Sequence, residues 1–461
     1  MQGTFFVRTL RSGAWVTAER MRLVAGLILA LGALGALFLA ATSDGLNDRL
    51  GRPLGTDFSN VYAAGTYVLE GRPAAPFDPP QQYAREQAIF GKDTGFFGWH
   101  YPPFFLGVAA LLALMPYGVA LLVWQGVTLV LYLLAMREIA GPRAPSPRER
   151  EEDRGEGASP AAVPFGGSPS PGRFAADLSP QAGRGEDRVA SSASLFLLLT
   201  LAFPAVLVNL GHGHNGFLTA ALMGGALVVL NKRPILAGIL VGLLAYKPQF
   251  GLLIPLALAA GGYWRTFFAA AVTVVLLALV VTLAFGTEVW TAFLASTHFT
   301  RTVVLEQGDT GWHKIQSVFS LVRMWGGGVP FAYALQTAVT LFVAAALVWL
   351  WRSRAAFALK ASALAIGTIL ATPYSLDYDL MLLAPAIAFL AADGLARGFA
   401  PYEKTVLAAL WLVPLVARPI AQTALVPLAV PLMLLCFLLL LRRAMTETAP
   451  AQASGVLRVD A

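Results

Sequence analysis

Thirteen apolar runs, the first at 23–41 and the last at 425–441, occupy most of this 461-residue chain and dictate its environment. Their unbroken apolar character, with a mean hydropathy of +0.65, excludes a soluble globular domain. A transmembrane β-barrel is excluded too, because its strands alternate apolar and polar residues. The remaining solution is an all-α polytopic membrane protein, since a helix satisfies its own backbone hydrogen bonds in lipid.

The basic residues set the expected topology. Arg8, Arg11, Arg20 and Arg22 precede the first run, which is long and ends without a small-x-small cleavage site. They indicate an uncleaved first helix with a cytoplasmic N-terminus. Arg442 and Arg443 follow the last run and place the C-terminus on the same side, so the number of crossings is even and about twelve are expected. Two routes lead to twelve: either 103–115 is re-entrant, or 235–260 is one broken helix. The distribution of Lys and Arg favours the first. The formal charge of +7 resides largely in loops and a linker, which is the pattern of membrane anchoring and not of a nucleic-acid-binding face. The single cysteine, Cys436, lies in the last run and reads as a packing residue.

This divides the chain into an N-terminal transmembrane part at 1–143, an insertion at 144–192, a transmembrane core at 193–443 and a tail at 444–461. The insertion, rich in Arg, acidic residues, Pro, Gly and Ser, has too little apolar area to offset its ordering entropy and reads as disordered, as does the cytoplasmic tail. Two larger exoplasmic loops, 43–102 and 286–328, are long enough to build a site. The first ends in Trp99-His100-Tyr101-Pro102-Pro103, which suits an anchor at the membrane interface.

Few ionisable groups sit where chemistry can use them, and each needs a reason to be there. Asp57, in Gly55-Thr56-Asp57-Phe58, comes soon after the first span. It can cap a helix expected from Asn60 to Glu70, or deprotonate a sugar or lipid hydroxyl as a general base. Tyr62 and Tyr67 follow at helical spacing. Lys247, in Tyr246-Lys247-Pro248-Gln249, lies between two apolar segments where Pro248 frees backbone donors, a setting suited to phosphate. In the second loop, Arg301 and His313 are the alternatives for that role. Gly211-His212-Gly213-His214-Asn215-Gly216 joins two spans and suits hydrogen bonding to a polar ligand better than a metal, because no carboxylate partner is near in sequence. Thr372-Pro373-Tyr374-Ser375-Leu376-Asp377-Tyr378-Asp379 is another polar break. No metal and no cofactor are expected, and the chain has neither a phosphate-binding Gly-rich loop nor a dinucleotide fingerprint.

Taken in order, Gly55 to Phe58 with Tyr62, Gly71-Arg72-Pro73 with Phe77-Asp78-Pro79, Tyr101 to Phe104, Gly211 to Asn215, Lys247-Pro248-Gln249 and Tyr374 to Asp379 resemble the bacterial membrane glycosyltransferases of family 87. The turn at 211–215 departs from the Gly-Gln-x-Asn form expected there. The resemblance implies a GT-C fold in the bacterial plasma membrane, with the site facing the exterior. It also implies inverting transfer of a hexose, mannose in the best-known relatives, from a polyprenyl-phosphate sugar to a lipid or glycan acceptor. Asp57 matches the base of such enzymes. With it, Lys247, Arg301 and His313 are expected at the donor phosphate, and Tyr62, His212, His214, Asn215, Gln249, Tyr374 and Asp377 at the substrates. The rival reading is a transporter or flippase for polyprenyl-linked glycans or lipids, which calls for internal repeats and mid-span charges. The polar breaks instead cluster at span ends.

Overall fold

The computed structural model describes residues 2–141 and 193–448, and the expected insertion at 144–192 lies outside the described residues. Every apolar run is helical, and among the described residues there is no β-strand, only isolated bridges. Among the described residues, seven helices are long and apolar enough to cross a membrane: Ala18–Thr42, Tyr117–Ala140, Trp264–Phe285, Val329–Arg352, Asp377–Arg397, Glu403–Ala424 and Ala429–Thr448. The pair Ala193–Leu201 and Pro204–His212, bent by 42°, makes an eighth. Five further apolar helices of 10–17 residues bring the total to the thirteen runs. At about 1.5 Å per residue these five fall short of a ~30 Å hydrocarbon core, so length and composition support seven or eight spans against the twelve expected.

Local chemistry explains the short helices. Pro248 disfavours helical geometry at the residue before it, and Lys247 takes up φ −124° and ψ 77°, ending the helical run Pro234–Tyr246 beside the segment Pro248–Ala260. Pro204 opens its helix at the first turn, where its missing N–H costs nothing. Close packing of the remaining helices relies on small residues. A Cβ on Gly238 or Gly242, one turn apart, would come within 2.6 Å of atoms on Trp264–Phe285.

Burial sorts the helices into centre and perimeter. In Phe357–Leu370 every residue but Phe357 and Lys360 is buried, whereas Ala18–Thr42 buries only Ala25 and Ile28, leaving the rest of its apolar surface for lipid. Both expected loops are structured. The first contains helices Phe58–Leu69 and Pro79–Phe90, and the second contains Glu288–Phe299 and a shorter helix, Val318–Met324. The expected 60–70 helix is thus present, beginning two residues early.

Two expectations are corrected. Trp99 and Tyr101 are buried in an aromatic cluster with Phe77 and Phe105 and do not anchor an interface. The tail does not begin at 444, because Ala429–Thr448 continues as helix and Glu447 pairs with both Arg397 and Arg443. Residues 449–461 lie outside the described residues.

That last ion cluster marks one end of the molecule. Arg443 meets Asp393 at 2.5 Å and Glu403 at 2.7 Å. The N-terminal helix Gln2–Ser12 docks beside it, with Tyr402 N–H donating to the Arg11 carbonyl and Thr405 Oγ1 to that of Leu10. Asp377 and Arg418 lie on the same two spans as Asp393 and Glu403, about 22–24 Å along each helix. They define the opposite end.

Candidate active site

Two left-handed glycines create this site. Gly55 (φ +66°) and Gly213 (φ +62°) face each other so closely that a Cβ on Gly213 would lie 2.6 Å from Phe58 Cβ and 3.1 Å from the Gly55 carbonyl oxygen. The Gly-Thr-Asp turn of the first loop is thereby pressed against the Gly-His-Gly-His turn between two spans. Trp124 Nε1 donates to the Gly213 carbonyl, and Gln125 Nε2 to that of Asn209, fixing the second turn from the neighbouring span.

Asp57 stands in the N-cap position of Phe58–Leu69, yet its side chain makes no capping hydrogen bond. Its carboxylate is 24% exposed and lies 3.9 Å from His212 Nδ1, beyond hydrogen-bond range. Burial pushes its pKa above the ordinary carboxylate range; His212 opposes that shift, Asp377 adds to it, and Lys314 and Arg418 oppose it. A recessed carboxylate of raised basicity, without an ion-pair partner bonded to it, has the properties of a general base.

The other two carboxylates nearby are committed. Asp377 Oδ2 accepts from Arg418 Nε at 2.5 Å, and Asp379 Oδ1 accepts from Lys247 Nζ at 2.5 Å. Their side chains are only 4% and 1% exposed. Between them Tyr378 stacks on His214, with ring centroids 3.4 Å apart. The second loop closes over this break: Ile315 bridges to Leu376, and Gln316 N–H donates to the Ser375 carbonyl.

Several expected residues therefore converge here: Asp57, His212, His214, Lys247, Tyr374 and Asp377 surround one polar cluster. His214 Nε2 lies 3.1 Å from the Tyr101 hydroxyl, while its Nδ1 has no hydrogen-bond partner. Asn215 is buried with both amide atoms unpartnered, as are Ser375 Oγ and Gln316 Oε1. Buried polar atoms normally find partners, and these four residues leave theirs unmet within the cluster.

Other expectations change. Lys247 is bound to Asp379 and closed to solvent, because a lone ammonium here would lack both water and a counter-charge. Arg301 is 61% exposed and 3.6 Å from Glu306, outside the cluster. Tyr62 packs its ring edge-on to Tyr117 and donates its hydroxyl to the Met115 carbonyl, a structural role. Gln249 lies half-buried on the turn after Lys247. His313 does reach the neighbourhood: burial, Lys314 and Arg418 hold its pKa below the ordinary value, against Asp377. Sequence reasoning passed over Lys314, which is half-buried without an ion-pair partner among the described residues, and Arg418. Arg418 carried a signal, since a charge directly after an apolar run and before Pro419 is costly unless used.

A family model for glycosyltransferase family 87 matches residues 99–373, more than half of the chain. The chain belongs to glycosyltransferase family 87. No curated protein and no solved structure matches it. Membership makes this a multi-pass membrane glycosyltransferase acting on a sugar donor and an acceptor, and its all-helical, polytopic architecture is consistent with the GT-C type. It also displaces the transporter reading. The matched stretch includes the His turn, Lys247 and Lys314, whereas Asp57, Asp377 and Arg418 flank it in sequence and join it in space.

Proposed function

We propose that this family 87 enzyme transfers a hexose, mannose foremost, from a polyprenyl-phosphate sugar to a lipid or glycan acceptor at the outer face of a bacterial plasma membrane. Asp57 is the general base. It accepts the proton of an acceptor hydroxyl while that oxygen forms a bond to the anomeric carbon. The bond from that carbon to the phosphate oxygen breaks on the opposite face, inverting the configuration and releasing polyprenyl phosphate. No general acid is needed if cations meet the developing phosphate charge. Lys314 and His313 are the residues assigned to that role in place of Lys247 and Arg301. The unpartnered polar atoms of His214 and Asn215 are assigned to sugar hydroxyls, with Tyr374 beside them. A lipid donor accords with a site at the end of the spans, where the chain stays in the bilayer and the head group enters the polar cluster.

The observation that carries this reading is the state of Asp57: of the three carboxylates in the cluster it alone, among the described residues, has no close cation bonded to it and remains accessible. The test is transfer of labelled mannose from polyprenyl-phosphate mannose to a membrane-lipid extract by purified protein. Asp57→Asn, which keeps the shape and removes the base, is expected to lower kcat by about a hundredfold or more. Turnover within a few-fold of wild type in a folded Asp57→Asn protein sinks the assignment.

A further inference from the structure

Thr56, Asp57, His212, Arg418 and Asp377 form a continuous chain from four separate parts of the sequence, and its chemistry is directional. Asp377 is held at both oxygens, Oδ1 by the Tyr378 N–H at 3.0 Å and Oδ2 by Arg418 Nε. Arg418 Nη2 then lies 3.3 Å from His212 Nε2. A guanidinium can only donate, so Nε2 must present its lone pair. The imidazole hydrogen is therefore on Nδ1, which lies 2.7 Å from Thr56 Oγ1 and 3.9 Å from Asp57 Oδ2.

We infer that Arg418, fixed by Asp377, is a positioning residue that acts through His212: it holds the imidazole with Nδ1–H toward Thr56, so that the turn carrying Asp57 is oriented. The inference rests on Asp57 as the base. Its physical content is geometric. Without the guanidinium at Nε2 the imidazole is free to turn or to carry its hydrogen on Nε2, and Nδ1 no longer presents that hydrogen to Thr56 beside Asp57. The other titratable groups that face this imidazole are His214 on its own turn and Tyr378, with its ring centroid 6.3 Å away. Among the described residues no carboxylate other than Asp57 approaches His212 within ion-pair distance.

The experiment measures kcat and KM for transfer from polyprenyl-phosphate mannose in wild type, Arg418→Gln, His212→Gln, the double variant and Asp57→Asn. Arg418→Gln is expected to lower kcat by about tenfold with KM changed less than about twofold. The double variant is expected to be no slower than the slower single one. Arg418→Lys keeps the charge but cannot span Asp377 and His212 together, and is expected to resemble Arg418→Gln; it also serves if the Gln variant does not fold. Additive losses, or wild-type kinetics in Arg418→Lys, overturn the inference. If Asp57→Asn is inactive and the Arg418 and His212 effects add, only the inference fails; if Asp57→Asn is active, the base assignment fails with it.

Discussion

Asp57, Asp377 and Asp379 are one functional group in three electrostatic settings, and the setting decides the role. Asp379 and Lys247 neutralise each other inside the protein. Losing either partner leaves the other as an uncompensated buried charge, which costs about 3–5 kcal/mol. Lys247→Met is therefore expected to reduce folded protein sharply, and adding Asp379→Leu to restore much of it. Transfer activity recovered in that double variant would exclude Lys247 as a phosphate ligand. Glu86 is a second instructive carboxylate. It accepts hydrogen bonds from Phe97 N–H, Gly98 N–H and Gln82 Nε2, and burial pushes its pKa from the ordinary 4.5 up to about 7. Because the folded value is raised, its stabilising contribution is complete below about pH 4.5 and is lost as the pH rises to about 7, amounting to at most about 3 kcal/mol. Thermal melts in detergent are expected to show stability falling across that window, with a flatter profile in Glu86→Gln.

At the scale of elements, glycines set how closely the pieces of the site approach. A Cβ on Gly65 would fall 2.1 Å from the Ala109 carbonyl oxygen, so helix Phe58–Leu69 lies directly on the backbone of Leu106–Ala113. Asp57 is at the N-terminus of that helix and inherits its position. Gly213→Ala adds both a left-handed backbone penalty and a clash with Phe58, together about 1–3 kcal/mol of strain. The expected result is a kcat loss greater than the loss of thermal stability alone explains, because the strain separates the Asp57 turn from the His212 turn. Equal activity per folded molecule in Gly213→Ala would show that the contact of these turns is not needed.

For the molecule as a whole, charge is gathered at two ends. Arg443, Asp393, Glu403, Arg397 and Glu447 tie spans together at the end where the N-terminal helix docks, and the site lies at the other. Ser12 and Asp309, both exposed, belong to these opposite ends. In intact cells an impermeant thiol reagent is expected to label Asp309→Cys and not Ser12→Cys, with low background because Cys436 is buried. Labelling of Ser12→Cys alone would invert the proposed orientation.

Much of this was legible in the chain itself. Unbroken apolar runs can only be lipid-facing or deeply buried helices, so the all-α membrane fold follows from composition and continuity. Rare polar breaks among them marked Asp57, the His turn, Lys247 and Asp377, because burying such groups without a use is too costly. Their partnerships were not legible. Lys247 looks like a free cation until Asp379, distant in sequence, is brought to 2.5 Å; Arg418 looks like a span-end residue until it bridges Asp377 and His212. The sequence by itself determined which residues had to be accounted for. Only the tertiary structure decided which charges cancel and which stay available, because at a few ångströms in a poorly solvated interior, pairing depends on distance and not on order along the chain.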